Sequence, residues 1–506
     1  MALATLAARV AGFGRIVVLT AALGLGTRLL DTYNVANTLP NAVFELVVGG
    51  AMASVVVPLL TRAALSADDD GVLYAQRLLS LMVYALGAVT VAAVLAAPWL
   101  VEVYAPGFTD RQHDLAVVFC WYFLPQILFY GVGATAGAVL NIRGRFAAPA
   151  WAPLVNSVVV IAVGLAYLAV GGSTSIGGLS RVHLTLLALG TTAGVVAQAA
   201  LVVWALARSG FPVRLHLDPR GIAIRRIGRL GGWVLLSVVA AQAMLAAATR
   251  AASLSGPGGV TAYQNAYAIF QVPFAVVALS VMTAMLPRLS RSAARRDHER
   301  VIGDLSLAVR VAVVALAPVA AAMVVLGRPI AALLFDHGHS AASTVGVLGA
   351  VVAAFGPALL PFTGYMILQR GFHALQDTRT PALITAAVST VGVAGCAAAA
   401  WVLPAAGIVI GVPLAYTLAY TLGLLTTAVV LRRRLGRLDG RRLVRTHVRV
   451  LIATGAAAAV AALTVRAVAP AGTVAVVALA GAAGLGVYLA AVRLLRLTEL
   501  RHLRFR

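Results

Sequence analysis

The sequence contains no lysine, so all 39 of its basic residues are arginine, and only 16 acidic residues oppose them. Charged residues of both signs fill 11% of the 506 positions. A water-soluble domain carries roughly one quarter, so an ordinary soluble fold is excluded. Cysteine is nearly absent as well. Cys120 and Cys396 both fall in apolar runs, which leaves neither a disulfide framework nor a cysteine-built metal site. No GxxxxGK[ST] phosphate loop, no HExxH pair and no GxSxG nucleophile elbow occurs. An ATP-driven pump working by itself is therefore not expected, and neither is an enzyme, a cofactor or a metal. His337 and His339 form an isolated HxH, read as solvated histidines.

What fills the chain instead is apolar: 61% of residues are hydrophobic and the mean hydropathy is +0.96. Apolar runs of 18 residues or more recur along the whole length, too long and too continuous for barrel strands, so the chain is read as an all-α polytopic membrane protein. About fourteen transmembrane helices are expected. The first run lacks a small-residue cleavage pattern and leads into further spans, so it is read as a span and not as a cleaved signal. The net charge of +23 does not point to nucleic acid, because the arginines gather in short loops between spans. Arg208, Arg214, Arg220, Arg225, Arg226 and Arg229 lie between spans six and seven. Arg288, Arg291, Arg295, Arg296 and Arg300 lie between eight and nine, and the gap after span twelve opens with Arg432, Arg433 and Arg434. Alternate gaps hold about one arginine each, such as Arg111, Arg181 and Arg328. This alternation places both termini on the cytoplasmic side of the cell membrane.

The chain also repeats itself. APWLVEVYAPGF, ending at Phe108, compares with RPIAALLFDHGH, ending at His339, so that Pro98 matches Pro329 and Gly107 matches Gly338, both 231 positions on. VPLLTRAA from Val57 compares with LPRLSRSAA from Leu286 at an offset of 229, and Pro149 with Pro381 at 232. The unit holds six spans, an even number, so the two copies share one orientation and are related by an axis along the membrane normal. The expected organisation is an N-lobe over 1–212, a C-lobe over 213–435, and two further helices with a cytoplasmic tail over 436–506. Substrate would sit between the lobes and their rocking would alternate access.

Within the spans, the stretch LPNAVFELVVGG, Leu39 to Gly50, carries a carboxylate. Glu45 lies 17 residues before Arg62, which marks the cytoplasmic end of its helix. That is roughly 25 Å at 1.5 Å per residue, so Glu45 falls inside the hydrocarbon, toward its outer half. Facing lipid there would cost roughly 2.5–3.5 kcal/mol. Glu45 must therefore face a cavity, water or an arginine partner in a kinked helix. Pro40 and Asn41 disturb the outer end of the helix, and Gly49 and Gly50 permit bending or close approach. In the first span, Arg9 and Arg28 can snorkel to opposite surfaces, whereas Arg15 lies deeper. A guanidinium there suits a phosphate or pyrophosphate, because its donors are planar and forked. In the second lobe Arg250 sits near the outer end of span seven, where snorkelling serves it. Asn265 and Gln271 can line a sugar path or pair with other polar groups. Gln376, Asp377 and Arg379, in GFHALQDTRTP, sit at the cytoplasmic rim, where Asp377 can cap the next helix.

These residues resemble a known family. RVAGFGR, then DTYNVANTLPN and GGAMASVVVPLL, resembles the signature of the MurJ/MviN lipid II flippase family, within the multidrug/oligosaccharidyl-lipid/polysaccharide exporter superfamily. NIRGRFAAPAWAPLVN, FQVPFAVVALSVMTAMLPRLSR and GFHALQDTRTP resemble further blocks in the same order. The pattern is similar to the actinobacterial branch. The resemblance implies movement of lipid II, the undecaprenyl-pyrophosphate-linked disaccharide-pentapeptide, from inner to outer leaflet. It implies two lobes around a cationic cavity, with the last two helices guiding the lipid tail. Arg9, Arg15 and Asp31 match first-helix cavity positions of the family, and Pro40 and Asn41 its second-helix motif. Two arginines of the family pattern are replaced here, by Phe44 and by Ala268, which implies a less cationic cavity. On this reading Arg15, helped by Arg9, attracts the pyrophosphate. Asp31 and Glu45 pair with arginines in one state, and Asn41, Asn265 and Gln271 contact sugar or peptide. Membrane potential, a proton or sodium would drive the cycle, and cell-wall synthesis machinery would be a partner. The alternatives are an exporter of another polyprenyl-linked glycan or of a cationic drug, and a non-transporting cell-wall scaffold.

Overall fold

A computed structural model of the chain describes residues 2–49, 72–212, 214, 224–339, 342–437, 439–495 and 497. Among them thirteen helices are long and apolar enough to cross a membrane. The expected second span is described only as far as Gly49, so its remainder, with Gly50 and Arg62, lies outside the described residues. The chain divides into two compact units, Met1–Gln242 with Gly338–Ser340, and Ala243–His337 with Ala341–Arg506.

The first unit begins with α1 (Ala2–Leu23) and α2 (Arg28–Phe44). The turn between them follows from its sequence, Gly24-Leu25-Gly26-Thr27. Gly24 and Gly26 both take positive φ, 85° and 93°, which lets the chain leave α1 without strain. Thr27 then caps α2. Its Oγ1 accepts the N–H of Leu30 at 3.1 Å and donates to the Leu23 carbonyl at 2.8 Å. Asp31 is placed in the first turn of α2, where the partial positive charge of the helix N-terminus favours a carboxylate. The N–H of His339 donates to Ala21 O at 3.4 Å. The remaining helices are α3 (Val72–Leu95), α4 (Ala97–Tyr104), α5 (Asp110–Phe123), α6 (Gln126–Ile142), α7 (Ala147–Ala169) and α8 (Arg181–Arg208), followed by α9 (Ile224–Ser253), whose residues from Ala243 onward belong to the second unit. Within the unit α7 packs against α1 and α8, α6 against α3 and α8, and α2 against α5.

The second unit continues with α10 (Gly259–Pro273), α11 (Leu279–Ala294), α12 (His298–Phe335), α13 (Ala342–Phe355), α14 (Leu359–Ala374), α15 (Arg379–Val402) and α16 (Ala405–Leu435). Two further helices, α17 (Gly440–Val468) and α18 (Thr473–Leu494), pack on each other and on α12. Lipid tails are as apolar as leucine, so helix pairing here rests on close packing and not on the expulsion of water. Gly327 of α12 and Gly349 of α13 show this. A methyl group on Gly349 would stand 2.5 Å from the Cα of Arg328, and one on Gly327 would stand 2.6 Å from the Gly349 carbonyl oxygen. The core of the unit is aromatic. Tyr263, Tyr267, Phe270, Phe355, Phe362, Tyr416 and Tyr420 form a chain of ring contacts with centroids 4.7–6.4 Å apart. The Tyr263 and Tyr416 hydroxyls hydrogen-bond at 2.9 Å.

The internal repeat reappears in backbone geometry. A five-residue π-helical segment, Glu45–Gly49, follows α2, and another, Phe274–Ala278, follows α10, with their first residues 229 positions apart. Tyr33 and Tyr263, 230 apart, are both fully buried. Each bonds through its hydroxyl to the sixth span of its own repeat, Tyr33 to Thr191 of α8 at 2.8 Å and Tyr263 to Tyr416 of α16. The outer faces of the helices carry exposed leucines and valines, and tryptophans at helix ends, Trp99, Trp151, Trp204 and Trp401. This is the surface of a chain solvated by lipid with an interfacial aromatic belt.

Candidate functional site

In the first unit the residues of interest lie on α1, on α2 and on the π segment. Pro40 lies within α2 and is buried. Having no N–H, it cannot serve the carbonyl four residues earlier, and the helix widens into its π turn five residues later. Glu45 opens that turn and is half-buried. Its carboxylate folds over Gly49, so closely that a methyl group on Gly49 would collide with it. Among the described residues no hydrogen bond or ion pair reaches it, so the expected structural partnership with an arginine is not formed there. Asn41 is exposed, and Asp31 is 2% exposed.

Arg15 is half-buried in the middle of α1. Among the described residues it makes no hydrogen bond or ion pair, and it lies within electrostatic reach of the Tyr33 and Tyr130 hydroxyls. Each belongs to a hydrogen-bonded set that sequence reasoning did not find, Tyr33 with Thr191 and Tyr130 with Gln126. Tyr130 donates to Gln126 Oε1 at 3.3 Å, Gln126 Nε2 donates to Thr192 Oγ1 at 3.0 Å, and Thr192 donates to the Tyr122 carbonyl at 2.8 Å. The signal available was the repeat itself, DTYNVAN against TAYQNAY, which sets a tyrosine at one register in both copies. Arg9, one turn and a half earlier, is exposed. The structure thus separates the two cations: Arg9 is free to reach the surface and Arg15 is held inside the span. A cavity of about 650 Å³ opens nearby, lined by Phe44, Tyr130, Asn141, Pro149, Gln198 and Val202 among others. It carries polar anchors but no charge, which suits a largely apolar group.

In the second unit the candidate residues scatter. Asn265 is buried at 4% exposure. Gln271 donates its Nε2 to the Tyr267 hydroxyl at 2.6 Å, one turn back on the same helix. Arg250 is exposed in the last turn of α9. Gln376, Asp377 and Arg379 come together in the α14–α15 turn. Gln376 holds a left-handed φ of 59°, and Asp377 Oδ1 accepts the N–H groups of Arg379 and Thr380, both at 3.0 Å. Arg434, from the end of α16, closes on Asp377 Oδ2 at 2.6 Å, donates to Thr380 Oγ1 at 3.1 Å and lies over the Phe372 ring. Burial opposes ionisation of Asp377, yet the hydrogen bonds from Thr380 and Arg379 and the charge of Arg434 outweigh it and hold its carboxyl below the usual range. This turn is a clasp in which Oδ1 of Asp377 takes two backbone N–H groups and Oδ2 is held by the charge of Arg434 without a hydrogen bond of good geometry. The first unit has a simpler counterpart, in which Arg143 after α6 lies over the Phe211 ring and donates to the Ser209 carbonyl at 3.5 Å.

The family profile described as "Lipid II flippase MurJ" matches residues 19–482. A probable lipid II flippase MurJ of Rhizobium meliloti (strain 1021) is 30% identical over 393 residues, covering 76% of this chain and 71% of that protein. The lipid II flippase MurJ of Burkholderia cenocepacia is 27% identical over 391 residues, covering 76% and 74%. Among solved structures, a lipid II flippase MurJ in an inward closed conformation superposes with a TM-score of 0.79 at 17% identity, covering 97% of this chain and 98% of that one. An inward-facing multidrug resistance MATE family transporter of the MOP superfamily gives 0.69 at 15% identity, covering 83% and 94%. At these identities the two structures speak to the fold alone.

Proposed function

Since this chain belongs to the lipid II flippase MurJ family, we propose that it carries lipid II from the inner to the outer leaflet by alternating access. The observation that carries the reading is the extent of the match, which spans both repeats and reaches into α18. The physical support is Arg15. A guanidinium inside a span without a hydrogen-bonding partner is costly to keep and is repaid when a phosphate arrives, because a charge-assisted hydrogen bond contributes about 1.5–3 kcal/mol. Arg9, exposed toward the arginine-rich side, gives the first attraction. Asp31 and Glu45 are the carboxylates that exchange partners as the state changes, with membrane potential, a proton or sodium supplying the drive. Asn41, Asn265 and Gln271 are the neutral contacts to sugar and peptide. The arginine-rich gaps set both termini on the cytoplasmic side of the cell membrane, where cell-wall synthesis enzymes supply the precursor.

The test is the amount of lipid II reachable from outside in cells depleted of this protein, with wild type or Arg15→Ala restored. Loss on depletion, repaired by wild type and not by the variant, is the expected result. Arg328→Ala, an exposed position on α12, repairs like wild type. Unchanged external lipid II in a strain with no other flippase overturns the assignment.

A further inference from the structure

The arginines between spans eight and nine do more than mark a cytoplasmic loop. Arg288, Arg291 and Arg295 are spaced i, i+3, i+7 along α11 and its last residue's successor, which puts them on one face. Together with Arg300 of α12 they wall a pocket of about 580 Å³. Three carboxylates share it and their partners can be assigned. Asp297 caps α12 by accepting the N–H of Arg300 at 3.1 Å and pairs with the Arg300 guanidinium at 3.1 Å. Glu299 pairs with Arg437. Asp304 lies within electrostatic reach of Arg288 and Arg300. That leaves Arg291 and Arg295 with no carboxylate partner among the described residues. Arg291 donates its Nε to the Pro287 carbonyl at 3.1 Å, and among the described residues no acid pairs with its forked terminal nitrogens.

We propose that this pocket is a docking site for a pyrophosphate diester, the linkage group of the precursor, engaged on the cytoplasmic side before translocation; this rests on the reading that the substrate is a polyprenyl-pyrophosphate glycolipid. Charge selects the ligand. Two arginines stand in excess, and a pyrophosphate diester carries one negative charge on each of two adjacent phosphates. A single phosphodiester headgroup would satisfy only one of them. The forked geometry of arginine suits paired phosphate oxygens better than a point charge would. The site is built from α11 and α12 and not from the α1 that carries Arg15, and its proposed role is capture.

The experiment uses the full-length protein in lipid nanodiscs with farnesyl pyrophosphoryl-N-acetylglucosamine, a pyrophosphate diester, as probe, and farnesyl phosphoryl-N-acetylglucosamine, a single phosphodiester, inorganic phosphate and phosphatidylglycerol as comparators. Binding is measured in an Arg9→Gln, Arg15→Gln background, which removes the contribution of the α1 arginines. The diester probe is expected to bind more tightly than each comparator, and Arg291→Gln with Arg295→Gln to weaken it about tenfold or more, at an unchanged melting temperature. Arg291→Lys with Arg295→Lys keeps the charge, loses the fork and recovers part of the affinity. Binding indifferent to the glutamine pair overturns the site. Equal loss for all four anions overturns the pyrophosphate assignment and leaves a general anion patch. Wild type that flips no lipid II, while the glutamine pair still weakens binding of the diester probe, overturns the proposed function and not the pocket.

Discussion

Replacing Asp377 by asparagine removes the ion pair to Arg434 but keeps an oxygen that can accept the N–H groups of Arg379 and Thr380. The loss is therefore electrostatic. A charge-assisted hydrogen bond in a shielded site is worth about 1.5–3 kcal/mol. The Arg434 side chain is 45% exposed while that of Asp377 is 12% exposed, so solvent screening reduces the expected cost to about 1–2 kcal/mol. Asp377→Ala also removes the acceptor for two backbone donors, adding about 1 kcal/mol. The assay is unfolding in mild detergent, run as a double-mutant cycle of Asp377→Asn with Arg434→Gln. A coupling energy of about 1 kcal/mol is expected, and strictly additive losses would refute the clasp. The pH dependence has a definite sign. The folded carboxyl titrates below its unfolded value of about 3.9, so the stabilisation is complete above that value and disappears as pH falls through the lower, folded one. Wild type and Asp377→Asn should therefore converge in stability on acidification, and a gap that persists in strong acid contradicts the ionic account.

Gly49→Ala forces the Glu45 carboxylate off the π turn, so it should impair complementation of a flippase-depleted strain as Glu45→Gln does; full growth of the alanine variant sinks the importance of that pose. Gly349→Leu drives side-chain atoms into the backbone of α12 at Arg328 and should cost about 3 kcal/mol or prevent folding, by the reasoning for overpacked cores; a melting point within a few degrees of wild type contradicts it. Tyr33→Phe leaves the Thr191 hydroxyl its bond to the Leu187 carbonyl, so the loss should stay near 1 kcal/mol, measured by the same unfolding assay.

Much of the fold was legible because a membrane enforces its rules on sequence. Among the described residues each apolar run of sufficient length became a helix, since nothing else satisfies the backbone in lipid. Prolines and glycines at an offset near 230 announced the duplication before any coordinates. Asp377 was readable as a cap from Asp-Thr-Arg-Thr-Pro alone, and it does accept the first N–H groups of α15. The π segments were not readable. Nothing in Glu45–Gly49 or Phe274–Ala278 distinguishes them by composition from an α-helix, because a π turn reflects how the surrounding helices constrain the backbone. The partner of Asp377 was equally hidden: Arg434 lies 57 positions away, among arginines that had been read only as markers of sidedness. The pocket arginines were masked in the same way, since a loop charge and a ligand-binding charge look alike until their pairing with acids is known.

The π segment after α10 also has a consequence for register. A π turn accommodates one residue more than an α turn, and one residue corresponds to about 100° of rotation about the helix axis. Everything downstream of Phe274–Ala278 is therefore indexed to that inserted residue, including the stripe of Arg288, Arg291 and Arg295. If the turn reverted to α geometry with every residue kept, composition, charge and hydropathy would not change at all, yet the arginine face would point about a quarter-turn away from the start of α12, and the pocket would be dismantled without the loss of one guanidinium.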